Sequence, residues 1–139
     1  MAKEKIKILL DTHIYDKIID GEIPLEKIKA SLKRIDYHIT TVQIHELNCC
    51  LDATRRKKLL LAVNSLKPIL LEPTKKSRGK IFESLQKGND KHTQDALIGE
   101  DTIRKGIILV TEDRKLKNWV DKNGGKAIGV EEFKKIIEQ

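Results

Sequence analysis

Four carboxylates stand out by where they fall. Asp11 ends the apolar run Ile6–Leu10, and Asp113 follows a second apolar run, "IILV", through "TED". Glu46 lies one to two turns into a helical stretch flanked by Ile44 and Leu47, and Asp95 lies early in another, on the same side as Ile98 and Thr102. Each of these two helical acids therefore borders an inward-facing stripe rather than a solvated one. Taken singly, Asp11 reads equally as a cap or a ligand, Asp113 as an N-cap for the next helix, and Glu46 as a half-buried helix acid. Gathered at one partly desolvated place, however, they would repel one another by about several kcal/mol unless cations or protons intervened. Hard divalent ions with oxygen ligands relieve that repulsion, and the donor set matches one or two Mg²⁺ or Mn²⁺ ions rather than zinc. A metal held this way can polarise a phosphate, generate hydroxide and steady a leaving oxygen.

The elements that must bring these acids together follow from periodicity. Strands are expected at Ile6–Leu10, "DYHIT", "PILLEP", "IILV" and "KAIGV". Helices are expected over His13–Asp20, Leu25–Arg34, "VQIHELNCCL", "RRKKLLLAVNSL", Thr74–Gln86, Thr93–Lys105, Asp113–Asp121 and "EEFKKIIE", with Thr40 or Thr41 capping the third. Gly21, Pro24, Pro68, Gly106 and "NGG" punctuate them. Strands alternating with helices call for a parallel sheet covered on both faces. In such sheets functional residues collect beyond the carboxyl ends of the strands, so Asp11 and Asp113 should share a rim.

Composition narrows the partners. The 139 residues read as one domain, 1–139, and carry 28 Lys and Arg against 21 Asp and Glu, a formal charge of +7. A basic protein with an acidic pocket suits a polyanion, its cations holding the phosphate backbone beside the acids. Cys49 and Cys50 are adjacent and form no zinc-type pair. No apolar run approaches the roughly 18 residues of a membrane span or the pattern of a secretory signal, so no membrane partner and a cytoplasmic location are expected.

In this order, "ILLDTH", "TVQIHEL" and "DALIGEDTIRKGIILVTED" resemble the PIN domain, the metal-dependent ribonuclease domain of VapC toxins in toxin–antitoxin pairs. The last block is the most specific: a helix opening with an acid, a glycine stop, a buried strand, then Thr-x-Asp. The resemblance covers nearly the whole chain. It implies a three-layer α/β/α sandwich with a central, mostly parallel sheet, and Mg²⁺- or Mn²⁺-dependent endoribonuclease activity. It also implies that Asp11, Glu46, Asp95 and Asp113 form the metal site. Thr111 resembles the family's hydroxyl residue before the last acid, and Thr12 its small polar residue after the first. His13 departs from the common asparagine, leaving three roles open: substrate contact, support of Asp11, or helix cap. The partners implied are RNA, with tRNA and rRNA as candidate targets, a second copy of the chain in a homodimer, and a cognate antitoxin.

Weaker candidates surround this set. Arg55, Arg56, Lys75 and Lys76 head basic clusters that could meet phosphates or simply be solvated. Asp90 reads as a cap, Asp101 falls off the Asp95 face, His45 points away from Glu46, and His38 and His92 lack zinc-type spacing. Aromatic residues are too few for a base-stacking platform. Three rival readings are an RNA-processing nuclease, a non-catalytic RNA-binding PIN module, and a flavodoxin-like phosphoacceptor domain. The last would need an acceptor Asp after the third strand, where this chain has Glu72 and Pro73.

Overall fold

A computed structural model describes residues 5–71 and 102–138. Five strands, β1 (Ile6–Leu10), β2 (Ile35–Thr40), β3 (Ile69–Leu71), β4 (Ile108–Val110) and β5 (Lys126–Ile128), form one sheet in the order β3-β2-β1-β4-β5. Every neighbouring pair is parallel. The chain thus builds outward from β1 in one direction through β2 and β3, then returns to β1's other side for β4 and β5. That reversal opens a crevice at the carboxyl ends of β1 and β4. A flavodoxin-like order would place β3, not β4, beside β1, so the phosphoacceptor reading is set aside.

The helices among the described residues are α1 (Thr12–Ile19), α2 (Leu25–Ala30), α3 (Thr41–Asn48), α4 (Ala53–Leu66), α5 (Arg114–Lys122) and α6 (Val130–Ile137), with residues 102–105 also helical. Side chains alternate across the sheet. Ile8, Leu10, Tyr37, Ile39, Val110 and Ile128 face a core shared with Ile14, Tyr15 and Ile18 of α1, Leu59 and Leu66 of α4, and Phe133 of α6. Tyr37 and Phe133 meet edge to face at 6.3 Å. Leu9, Leu109 and Ala127 face the other side, against Leu116 and Val120 of α5. Burial on both faces explains why β1 and β4 read as unbroken apolar runs.

Most boundaries lie within a residue or two of those expected, and the exceptions have local causes. The second helical segment stops at Ala30 and tightens into a 3₁₀ turn over Ser31–Lys33. There Ser31 donates its hydroxyl to the Ile28 carbonyl and pairs with the Tyr37 hydroxyl at 2.8 Å, which closes the turn over β2. The last strand ends at Ile128, because Gly129 is the extended N-cap of α6 and Val130 is already its first, buried residue. Gly106, at φ +65°, ends the helix over 102–105 in the left-handed conformation that favours glycine. The helix expected over 74–86, most of that over 93–105, and with them Lys75, Lys76, Asp90, His92, Asp95 and Asp101 lie outside the described residues.

Candidate active site

The crevice between β1 and β4 is where the described acids meet. Asp11 follows β1 directly and is only 6% exposed. It caps α1, its Oδ1 accepting the Thr12 N–H at 2.8 Å. Its Oδ2 accepts the Thr111 hydroxyl at 2.7 Å across the gap to the end of β4. Thr111 is itself 1% exposed, and its Oγ1 also accepts the Asp113 N–H at 3.1 Å. One hydroxyl thereby links the first acid to the backbone of the last. Asp113 is an exposed N-cap of α5, its Oδ1 accepting the N–H groups of Lys115 and Leu116. For both aspartates the cap engages Oδ1, so capping and ligation do not compete for the whole carboxylate.

Glu46 arrives from α3. The hydroxyl of Thr12 donates to its Oε1 at 3.1 Å, which joins the first acid's neighbour to the second acid. The position of α3 is set by Thr40, one of the two caps expected from the sequence, together with Gln43, which sequence analysis passed over. Thr40 and Gln43 form a reciprocal capping box, and the fully buried Gln43 side chain also donates Nε2 to the Leu10 carbonyl at 2.6 Å. The start of α3 is thus tied to the end of β1 immediately before Asp11. The signal was present as Thr-x-x-Gln after a strand, the sequence signature of such a box.

His13 lies between the two strand ends. Its Nδ1 is 3.3 Å from Asp11 Oδ2, and its Nε2 accepts the Glu112 N–H at 3.2 Å. Of the three roles left open, support of Asp11 is the one these contacts favour. Burial alone would raise the Asp11 carboxyl, but hydrogen bonds from His13, Thr111 and Thr12 outweigh it and hold the group below its ordinary value. The hydrogen bond to Asp11 raises His13, against the partial burial that lowers it. The Glu112 N–H nevertheless needs an unprotonated Nε2, so the ring in this arrangement is the neutral form with its proton on Nδ1. No Lys or Arg among the described residues pairs with Asp11.

The remaining sequence candidates fall elsewhere. Arg55 spans Asp16 and Asp20 of α1, at 2.8 and 3.2 Å, and Arg56 donates to the Cys50 carbonyl at 2.9 Å. Their guanidinium groups hold helices and turns together instead of standing free for phosphate. His45 is exposed, with Nε2 3.6 Å from Cys49 Sγ, and His38 Nδ1 meets the Asp36 carbonyl oxygen.

The donors gathered at the crevice are oxygens. Among the described residues no three His, Cys, Asp or Glu side chains close on one ion position. Asp11 and Glu46, joined through Thr12, would supply two carboxylates to such an ion, and Thr111 links Asp11 to the backbone of Asp113. Mg²⁺ is commonly held by one or two carboxylates with water and substrate phosphate completing the shell, and this set fits it.

No family model and no curated protein sequence matches the chain. Solved structures do. VapBC2 from Rickettsia felis, bound to a promoter DNA fragment, superposes with a TM-score of 0.66 at 20% identity, over 89% of this chain and 98% of that one. The PIN domain endonuclease Utp24 gives 0.62 at 17%, over 89% and 84%. DNA-bound VapBC from Salmonella typhimurium gives 0.61 at 16%, over 89% and 98%. The fold is therefore the PIN-type α/β sandwich that the sequence motifs resemble. Among the described residues no helix is long and apolar enough to cross a membrane.

Proposed function

We propose that this protein is a PIN-type endoribonuclease that depends on Mg²⁺ or Mn²⁺. The observation that carries the reading is that two threonine hydroxyls connect the acids at the ends of β1 and β4: Thr12, next to Asp11, donates to Glu46, and Thr111 donates to Asp11 while accepting the Asp113 amide. Asp11 and Glu46 would hold the cation, with Asp113 and Asp95 completing the acidic set. When bound, the cation supplies Lewis acidity at the phosphodiester. The protein's own part is positional. Thr111 fixes the orientation of Asp11 by donating to Oδ2, and Thr12 does the same for Glu46. The buried Gln43 bond keeps α3, and with it Glu46, at the end of β1. Of the basic residues proposed to contact phosphate, Lys75 and Lys76 keep that role, whereas Arg55 and Arg56 have partners within the protein.

The VapBC likeness supports a toxin paired with an antitoxin; the homodimer, the RNA substrate and the cytoplasmic location belong to the proposal itself. Utp24, described as a PIN domain endonuclease, supports the second reading, a nuclease outside any toxin pair. Purified protein incubated with mixed RNA and tRNA, in Mg²⁺, Mn²⁺ or EDTA, tests the activity. Cleavage is expected only with metal and is expected to vanish in folded Asp95→Asn. No cleavage under any of these conditions, with the fold intact and no metal uptake, would favour a non-catalytic RNA-binding module.

A further inference from the structure

His13 is the residue whose chemistry the acidic site leaves unassigned. Its two ring nitrogens face different parts of the crevice. Nδ1 meets Asp11 Oδ2 at the end of β1, and Nε2 accepts the Glu112 N–H in the turn after β4. Thr111 makes a parallel link, donating to the same Oδ2 and accepting the next amide, that of Asp113. Two consecutive amides of the "TED" turn are thereby each tied, through one side chain, to one oxygen of Asp11. These two links act beside the backbone bonds of Asp11 to Val110 and of Thr111 to Ile128, and they are the ones that reach the Glu112 and Asp113 amides from side chains.

We propose that His13 is a positioning residue, a neutral Nδ1–H imidazole that bridges Asp11 to the backbone of Glu112 and so fixes Asp113 relative to Asp11. Both nitrogens are used inside the protein, so neither is left for a phosphate oxygen or for carrying a proton to the reaction. The longer imidazole spans both contacts, where an asparagine would reach only the nearer one. The proposal rests on the metal-nuclease reading for its consequence, and on the two contacts alone for its geometry.

Two half-length variants separate the contacts. His13→Asn places an amide near the position of Nδ1 and cannot reach Glu112; His13→Gln places one near Nε2 and gives up the Asp11 contact; His13→Ala loses both. In metal-free protein at alkaline pH, ring ¹⁵N NMR is expected to show the proton of His13 on Nδ1, opposite to the preference of a free imidazole. The Glu112 amide is expected to exchange slowly in the wild type and in His13→Gln, and faster in His13→Asn and His13→Ala. Mn²⁺ affinity, measured by calorimetry without RNA, is expected to fall about tenfold in folded His13→Ala, as for other residues that orient metal ligands. It should be partly restored in His13→Asn, which keeps the Asp11 contact. An Nε2–H ring, or a Glu112 amide that exchanges equally in wild type and His13→Ala, overturns the bridge. Mn²⁺ affinity unchanged in folded His13→Ala overturns its role toward the acids. If the wild type takes up no Mn²⁺, the metal reading fails, while tautomer and amide exchange still decide the bridge.

Discussion

Two acid clusters sit on this molecule, and they are stabilised in opposite ways. On the outer face of α1, Asp16 and Asp20 share Arg55 from α4 in an exposed ion-pair group. At the β1/β4 crevice, Asp11 is buried and takes its hydrogen bonds from a hydroxyl, a backbone amide and an imidazole. The first cluster carries its own cation and joins two helices. The second gives its acid a hydroxyl, an amide and an imidazole, with no Lys or Arg among the described residues, which orients a carboxylate that the proposed function turns to a metal ion. Clustered acids alone do not mark a site; acids held in place by neutral donors do.

That contrast can be broken experimentally, beginning where the effect is largest. Asp11→Asn is expected to reduce RNA cleavage by more than about 100-fold, because even residues that only orient ligands are worth about 10–100-fold. Thr111→Val should weaken Mn²⁺ binding by about 10–100-fold. It should also destabilise the fold by about 1–3 kcal/mol, since the buried Asp11 Oδ2 and the Asp113 amide lose a partner, a change that chemical denaturation would register. Gln43→Leu removes the bond to the Leu10 carbonyl and leaves the Thr40 amide unpaired. A stability loss of about 1–3 kcal/mol is expected there, with cleavage falling less than in Asp11→Asn. The smallest effect belongs to Arg55→Met. Cleavage should be unchanged and any drop in Tm should shrink with added salt, as for other exposed ion pairs. Loss of cleavage in that variant would mean that the two clusters are not functionally distinct.

Much of the architecture was legible in the sequence because local pattern and final environment agree. The apolar runs of β1 and β4 are continuous because both faces of those strands are covered, and Asp11 and Asp113 occur where helices need caps. The placement of Asp11 and Asp113 on one rim follows from strand direction alone. Strand order is different information. That β4 lies beside β1 is set by long-range packing, and the Thr111–Asp11 bond and both contacts of His13 exist only because of it. The same holds for Arg55, whose place in a basic run gave no sign that Asp16 and Asp20 would face it from α1. Gln43 was readable in principle, since its spacing from Thr40 is that of a capping box. Its second bond, to Leu10, depends on α3 folding back over β1.

In the proposed function Asp11 and Glu46, distant in sequence and joined here through Thr12, share a divalent cation. Calorimetric titration of Mn²⁺ into the purified protein, beside folded Asp11→Asn and Glu46→Gln, tests it most directly. Measurable binding by the wild type is expected, weakened by more than about 100-fold in each variant, beyond the loss seen for residues that only support a ligand. Wild-type affinity retained in both variants would contradict it.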